Sequence, residues 1–433
     1  MPTVSNKLYI PTPVFDTFED VIDQYKEVYA NEKPHYVISK WLNYCFVHAK
    51  TVVPDFAVKD YQMALNFLYS YRGSIDTFGA YRRDLERFLQ WSWFIRNQSF
   101  LKHKREDIES FIEFCLKPPK RWMSLKKHVR FKKVGGEKTP NPEWRPFEAH
   151  VSKKDHKDGV ERDKSKYQFS QAALKVMFGI LSSFYKYLVQ EQVVSSNPFA
   201  LIRQKSKFLQ KQAKVHVIRR LSNQQWETVI KIAKEKATQN QSHERTVFIL
   251  SCLYGMYLRI SELAASSRWK PTMGDFFKDT EGNWWFRTVG KGNKPRQIAV
   301  SDAMLDALQH YRKKYLNLPP LPSLGEKTPL IPHLKNPNKP ISHDGPIRYL
   351  VQDCFDQAAD FLEAEGKQEE ANGLRVATVH WLRHTGISED VKRRPREHVR
   401  DDAGHSSGAT TDRYIDVELR ERAKSAKHKT ISV

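Results

Sequence analysis

Six side chains, met in a fixed order along the chain, could together do chemistry that none could do alone. They are Arg259, Lys291, His380, Arg383, His405 and Tyr414. Read singly, each has an ordinary explanation. Arg259 could pair with Glu262 one helical turn on, and His380 could be a core histidine beside a surface Arg383. His405 could sit in a simple turn, and Tyr414 could be a packed tyrosine. Taken in order, the residue types answer one problem, attack on a phosphodiester without a metal. Charge grows on the non-bridging oxygens as the nucleophile arrives, and two guanidinium groups can grip those oxygens with forked hydrogen bonds. A tyrosine hydroxyl has a pKa near 10, so only ~0.1% is ionised at neutral pH. It needs a base or a strong electrostatic pull. The departing oxygen needs a proton, which a lysine on a hairpin turn could deliver. The histidines add a proton carrier and a hydrogen-bond donor.

Other chemistries fit less well. His380 and His384 have the spacing of a zinc helix, but Trp381 stands where such a helix carries its glutamate. Gly290-Lys291-Gly292 lacks the remainder of a phosphate-binding loop, which argues against an energy-driven motor or ligase. The four cysteines are far apart and read as reduced thiols, so no cofactor and no metal are expected.

These residues need elements to hold them. His380 and Arg383 are three apart, which on a helix over 378–391 puts both on one face. Residues 284–289 and 297–300 read as two strands joined by Gly290-Lys291-Gly292-Asn293-Lys294-Pro295, a strong turn signal. Ser222-x-x-Gln225 is a capping box before a helical stripe, and residues 247–258 are apolar nearly all round, as in a buried helix. Further helices are expected near 302–316 and 346–363. In the first half, a stripe from Phe78 to Leu89 follows Thr77 as a possible N-cap, with Arg82 and Arg83 on its other faces. Helices are also expected over 18–29 and 108–116, and after Ser170.

Charge points to the partner. The net charge is +22 and the pI about 9.6, which suits a polyanion. No run of apolar residues reaches the ~18 a spanning helix needs, so no membrane role is expected. Residues 117–166 hold 16 Lys+Arg against 7 Asp+Glu. They read as a basic insertion, solvated over 150–166. Trp122, Phe131, Trp144 and Phe147 suggest a DNA-contacting loop over 120–147. Residues 201–220 carry seven Lys+Arg and no acid, among them Arg203, Lys205, Lys207 and Lys211. With Arg82, Arg83 and Lys294, these four are the candidate DNA-backbone contacts.

At this point a family likeness enters. Leu258-Arg259-Ile-Ser-Glu-Leu263, Val289-Gly-Lys291-Gly-Asn-Lys294, Thr378-Val-His380-Trp-Leu-Arg383-His-Thr385 and Gly404-His405-Ser-Ser-Gly-Ala-Thr-Thr-Asp-Arg-Tyr414 closely resemble the signature boxes of the tyrosine recombinases. The likeness is strong over 219–420 and weaker over 74–95 and 170–200. It implies a mainly α fold with a small antiparallel β-sheet, arranged as a two-domain C-shaped clamp on DNA. The expected parts are an extension of unknown role at 1–55, a helical core-binding domain at 56–200 with the insertion 117–166, a basic linker at 201–218, and a catalytic domain at 219–433.

The resemblance also implies the roles. Tyr414 is the nucleophile that forms a 3′-phosphotyrosyl link. Arg259 and Arg383 hold the phosphate and Lys291 protonates the leaving 5′ oxygen. His380 takes a proton or binds the phosphate, and His405 donates to it. Implied partners are double-stranded DNA at specific sites, three further copies in a tetramer, and accessory or directionality proteins. The setting implied is the cytoplasm, with the nucleoid. The tail around 418–427 is the segment that docks on a neighbour. Ile415-Asp416 stands where relatives often carry a histidine. The insertion and the residues before 56 favour a mobile-element integrase over a housekeeping Xer-type resolvase. A type IB topoisomerase, with the same catalytic groups, is the nearest rival.

Overall fold

The computed structural model describes residues 9–405, apart from 48, 50, 152–158, 204–207, 209–218 and 291, and without the side chains of 76, 201 and 203. The chain divides into two compact units, Met1–Ala213 and Lys214–Val433.

The first unit is helical. Its helices are α1 (Phe18–Ala30), α2 (Pro34–Val47), α3 (Phe56–Ser70), α4 (Ile75–Trp91) and α5 (Arg105–Leu116). Four short strands follow, β1 (Met123–Ser124), β2 (Phe131–Val134), β3 (Glu137–Pro140) and β4 (Phe147–Glu148), then α6 (Gln171–Gln190) and α7 (Pro198–Arg203). Helix α4 begins earlier than expected. Ser74, not Thr77, is its N-cap, and its hydroxyl accepts from the Thr77 amide. The stripe Phe78, Leu85, Phe88 and Leu89 is buried, as the spacing requires. Helix α6 is long and apolar enough to cross a membrane by length and composition. Here Leu174, Met177, Leu181, Phe184 and Leu188 are buried in the core of the unit.

Residues 9–47 do not form a separate extension. Val14, Phe15, Val21, Val28, Ile38 and Leu42 share one core with the later helices. The reason is a buried carboxylate. Glu86 on α4 is fully buried, and its Oε1 accepts from the amides of Val14 (2.7 Å) and Phe15 (3.2 Å). Its Oε2 pairs with Arg130. One side chain thus ties the N-terminal strand-like segment, α4 and the 120–149 region together.

That region is not a loose loop. Trp122 and Phe147 are fully buried, and Phe131 and Trp144 nearly so. Each such ring gains roughly 1.5–3 kcal/mol from burial and is not available to stack on a base, which corrects the expected role of these aromatics. Removing Glu86 should show how much the unit depends on this interlock. A buried charge left without its partner costs about 3–5 kcal/mol. Glu86→Ala should therefore shift the urea midpoint of the first unit strongly downward, followed by tryptophan fluorescence. An unchanged midpoint would mean the interlock carries no stability.

The second unit holds α8 (Asn223–Gln239), α9 (Glu244–Gly255), α10 (Ile260–Leu263), β5 (Phe276–Lys278), β6 (Trp284–Gly290), β7 (Lys294–Ala299), α11 (Asp302–Tyr311), β8 (Pro332–His333), β9 (Asn336–Pro340), α12 (Gly345–Ala364), α13 (Gln368–Val376), α14 (Val379–Asp390) and α15 (Arg396–Ala403). The capping box at α8 is present: Ser222 accepts from the Gln225 amide (3.1 Å), and Gln225 accepts from the Ser222 amide (2.9 Å). Helix α9 is the buried one, with Phe248, Ile249, Leu250, Cys252 and Leu253 enclosed. Strands β5, β6 and β7 form a three-stranded antiparallel sheet, with Gly290 opposite Lys294 at the hairpin end. Strand β7 starts three residues sooner than expected, because Pro295 lies within it, opposite Val289. An edge strand accepts proline there. The mainly helical fold with small sheets is thus as expected.

Candidate active site

Four of the six expected residues are described, and they fall on three neighbouring corners of the second unit. Lys291 and Tyr414 lie outside the described residues, as do Lys205, Lys207 and Lys211 and the side chain of Arg203.

Arg259 caps α10. Its amide donates to Glu262 Oε2 (2.8 Å) and its Nη1 to Glu262 Oε1 (2.9 Å). The simple pairing read from spacing is therefore real, but it is half the story. Arg296 on β7 grips the same carboxylate with two forked bonds, of 2.6 and 2.8 Å. Burial pushes the Glu262 carboxyl up, yet Arg296 and Arg259 together hold it below its ordinary value. One buried anion thus fixes two guanidinium groups, and Arg259 keeps a side chain 26% exposed.

The hairpin end comes to the same place. A Cβ built on Gly290 would stand 3.3 Å from Arg259 Nη1 and 3.0 Å from Arg296 Nη1. Gly290, the last residue of β6, therefore lies beside Arg259. Lys294, the first residue of β7, is exposed opposite Gly290.

Helix α14 supplies the next corner. Arg383 is buried, and its Nη1 donates to the Tyr257 carbonyl while its Nη2 donates to the Ala403 carbonyl. Tyr257 reaches this position with φ of 51°, a left-handed conformation uncommon for a bulky residue. That turn also sets the direction of Leu258-Arg259. The Tyr257 hydroxyl donates to Asp390 and accepts from Arg394 (3.1 Å), and Arg394 pairs with Asp402 (2.5 Å). His380 stands exposed three residues before Arg383, and its ring meets His384 edge to face at 4.4 Å.

The third corner is the end of α15. Gly404 closes the helix with φ of 63°, and a Cβ there would lie 2.8 Å from Arg296 Cδ. Any other residue would be strained and would displace Arg296. The next residue, His405, sits with Nε2 3.4 Å from Arg383 Nη2. An arginine can only donate, so His405 Nε2 is the acceptor and the ring is neutral.

Electrostatics agree with the geometry. Burial, then Arg383, Arg259 and Arg296, push His405 down to about 4. Reduced hydration, then Arg383, Arg259 and Arg219, lower His380, and His384 falls to about 3 through burial, His380 and Arg383. Burial first, and the neighbouring arginines after it, thus lower the histidines gathered at this site. NMR titration of the DNA-free protein should find His405 titrating well below 6.5. A bound phosphodiester should raise it, because an anion favours the protonated form. A midpoint near 6.5 in the free protein would show that the arginines do not face it.

The remaining candidates lie apart in sequence, on the first unit. Arg82 is half-buried beside the Phe78 ring (5.6 Å), and Arg83 faces Asp84 at 3.4 Å. Sequence reasoning did not single out Arg296, Tyr257 or Arg219. Only the strand alternation of β7 could have hinted at an inward Arg296.

Comparison with known proteins follows the same line. No family model matches the chain. Tyrosine recombinase XerC of Pediococcus pentosaceus is 29% identical over 240 residues, which is 55% of this chain and 68% of that protein. Tyrosine recombinase XerC of Chlorobaculum parvum is 26% identical over 149 residues, 32% of this chain and 42% of that protein. Among solved structures, the XerH site-specific recombinase bound to palindromic difH substrate has 14% identity and a TM-score of 0.50, covering 97% of this chain and 99% of that one. It shares the fold. The chain is thus similar in sequence to two tyrosine recombinases and in fold to a third.

Proposed function

We propose that this protein is a site-specific DNA recombinase that cleaves and rejoins strands through a 3′-phosphotyrosyl intermediate, serving the integration or excision of a mobile element. The observation that carries it is the convergence of Arg259, Arg383, His380 and His405 on one anion-receptive spot at the hairpin end.

In this reading Tyr414 Oη attacks the scissile phosphorus. The Oη–P bond forms, the P–O5′ bond breaks, and the electron pair leaves with the 5′ oxygen. The tyrosine proton goes to neutral His380, and Lys291 protonates the leaving oxygen. Arg259 and Arg383 hold the non-bridging oxygens, and His405 donates to one of them once it carries a proton. The link conserves the bond energy, so a 5′ hydroxyl from a partner duplex reverses the attack and joins new strands. Four copies on two duplexes would do this in pairs, each with its two units closed on DNA as a clamp and its tail around 418–427 docked on a neighbour. Accessory proteins would set direction. The setting is the cytoplasm, with the nucleoid.

The XerC relatives keep a resolvase role in view. The helical unit, enlarged by 9–47 and by the anchored 120–149 region, supports the mobile-element reading. The test is a nicked duplex drawn from the DNA flanking the gene, which lets the cleaved fragment diffuse away. An SDS-resistant protein–DNA adduct should form in the presence of EDTA. No adduct on any flanking duplex would sink the proposal. Relaxation of plasmid without a recombination site would favour a topoisomerase instead.

A further inference from the structure

The first unit carries a basic finger that the catalytic reading does not use. Strands β2 and β3 pair from Phe131–Pro140 to Val134–Glu137. Gly135 and Gly136, with φ of 60° and 89°, make the two-residue turn that matches strand twist. Phe131 at its base is buried, while Lys132, Lys133 and Val134 are exposed, so the hairpin stands out from the unit. The approach to it adds exposed Lys126 and Lys127.

The finger is firmly seated. Phe131 stacks on Trp41 (5.7 Å), and Arg130 is held between Glu86 and the Trp144 ring (4.8 Å). Asn141 Nδ2 donates to the Val129 carbonyl (2.9 Å), and Tyr44 Oη to the Lys138 carbonyl (2.7 Å). Nearby acids are already engaged. Glu86 holds Arg130, Asp16 and Asp20 hold Lys138, and Glu143 faces His128. Glu137 is the one carboxylate on the strands. None of Lys126, Lys127, Lys132 and Lys133 has an acidic partner among the described residues. Alongside, on α4, Arg82 lies close enough to Arg130 to feel its charge, and its buried Nε has no hydrogen-bond partner among the described residues.

We propose that this finger is a duplex-DNA contact of the helical unit, with Lys126, Lys127, Lys132 and Lys133 as phosphate ligands and Arg82 extending the surface onto α4. Charge complementarity selects the partner, since four unpaired ammonium groups on a preordered ribbon suit a regular polyanion. The seating is already made in the folded unit, so little backbone ordering is left to oppose binding. The proposal rests on the reading that the protein acts on DNA.

The test replaces the four lysines together (K126Q, K127Q, K132Q and K133Q) in the full chain, with unchanged Tm as the check on folding. Binding to a random-sequence duplex is measured from 0.05 to 0.3 M salt. Each phosphate contact contributes about 0.9 to the slope of log K against log salt. The Gln variant should lose about three to four from that slope and bind about tenfold or more weakly at 0.15 M salt. The corresponding Lys→Arg variant should keep both. If the wild type binds and the Gln variant matches its slope and affinity, the finger is not a DNA contact, although the recombinase reading stands. If the wild type binds no duplex at all, that reading fails first and takes the finger proposal with it.

Discussion

Tyr414→Phe should leave DNA affinity unchanged and reduce the covalent adduct on a nicked duplex to background. The substitution removes one oxygen and keeps the ring. Binding depends on phosphate contacts spread over a basic surface, so a single hydroxyl barely moves it. Attack is different, because without that oxygen no bond to phosphorus can form. The tyrosines described near the site are poor substitutes. Burial, then the Asp390 bond and charge, hold Tyr257 far above the ordinary tyrosine range, and its hydroxyl is engaged with Asp390 and Arg394. Burial, then Glu389 and Asp390, raise Tyr254, whose ring stacks on Trp226 at 4.2 Å. Neither is poised as a nucleophile. An adduct that persists in the Phe variant at wild-type yield would move the chemistry to another residue.

The candidate reactive groups stand out in the sequence because chemistry restricts residue type. A phosphate wants guanidinium forks and a leaving oxygen wants an acid, so the ordered boxes could be read without a structure. What holds them was not legible. Glu262 and Arg296 are 34 residues apart and Tyr257 and Arg394 are 137 apart, so no local spacing announces either pair. Helix α15 escaped notice because it buries only Val399, Asp402 and Ala403, too few to make a stripe. In the first unit, the expected boundary at 55 set a mixed N-terminal stretch apart from the helices after it. The chain ignores it, since Glu86 reaches back 72 residues to the Val14 amide. The basic segment misled in the opposite direction. Its charges and aromatics over 120–147 suggested a DNA-contacting loop, while the same four aromatics are buried as the core of a folded region.

The second large effect should come from Arg383, and the choice of substitution separates its two jobs. Arg383 supports the fold by donating to the Tyr257 and Ala403 carbonyls. In the proposed mechanism it also meets the phosphate beside His405. Alanine removes both, and each buried carbonyl left unpaired costs about 1–3 kcal/mol, so Arg383→Ala should melt lower as well as fail to cleave. Lysine keeps the charge and can still reach one carbonyl, but it has no planar fork. Arg383→Lys should therefore remain folded and bind DNA, with single-turnover adduct formation slowed by about 10²–10³, the usual effect of losing one preorganised donor. A second readout follows from the neighbour. With the guanidinium gone, His405 loses the strongest of the charges that, after burial, depress it, but a lysine ammonium partly replaces that charge. Its titration should shift little in the Lys variant and rise in the Ala variant. Near-wild-type cleavage by a folded Arg383→Lys protein would reduce Arg383 to a structural brace. The phosphate would then rest on Arg259, which Glu262 and Arg296 hold in place.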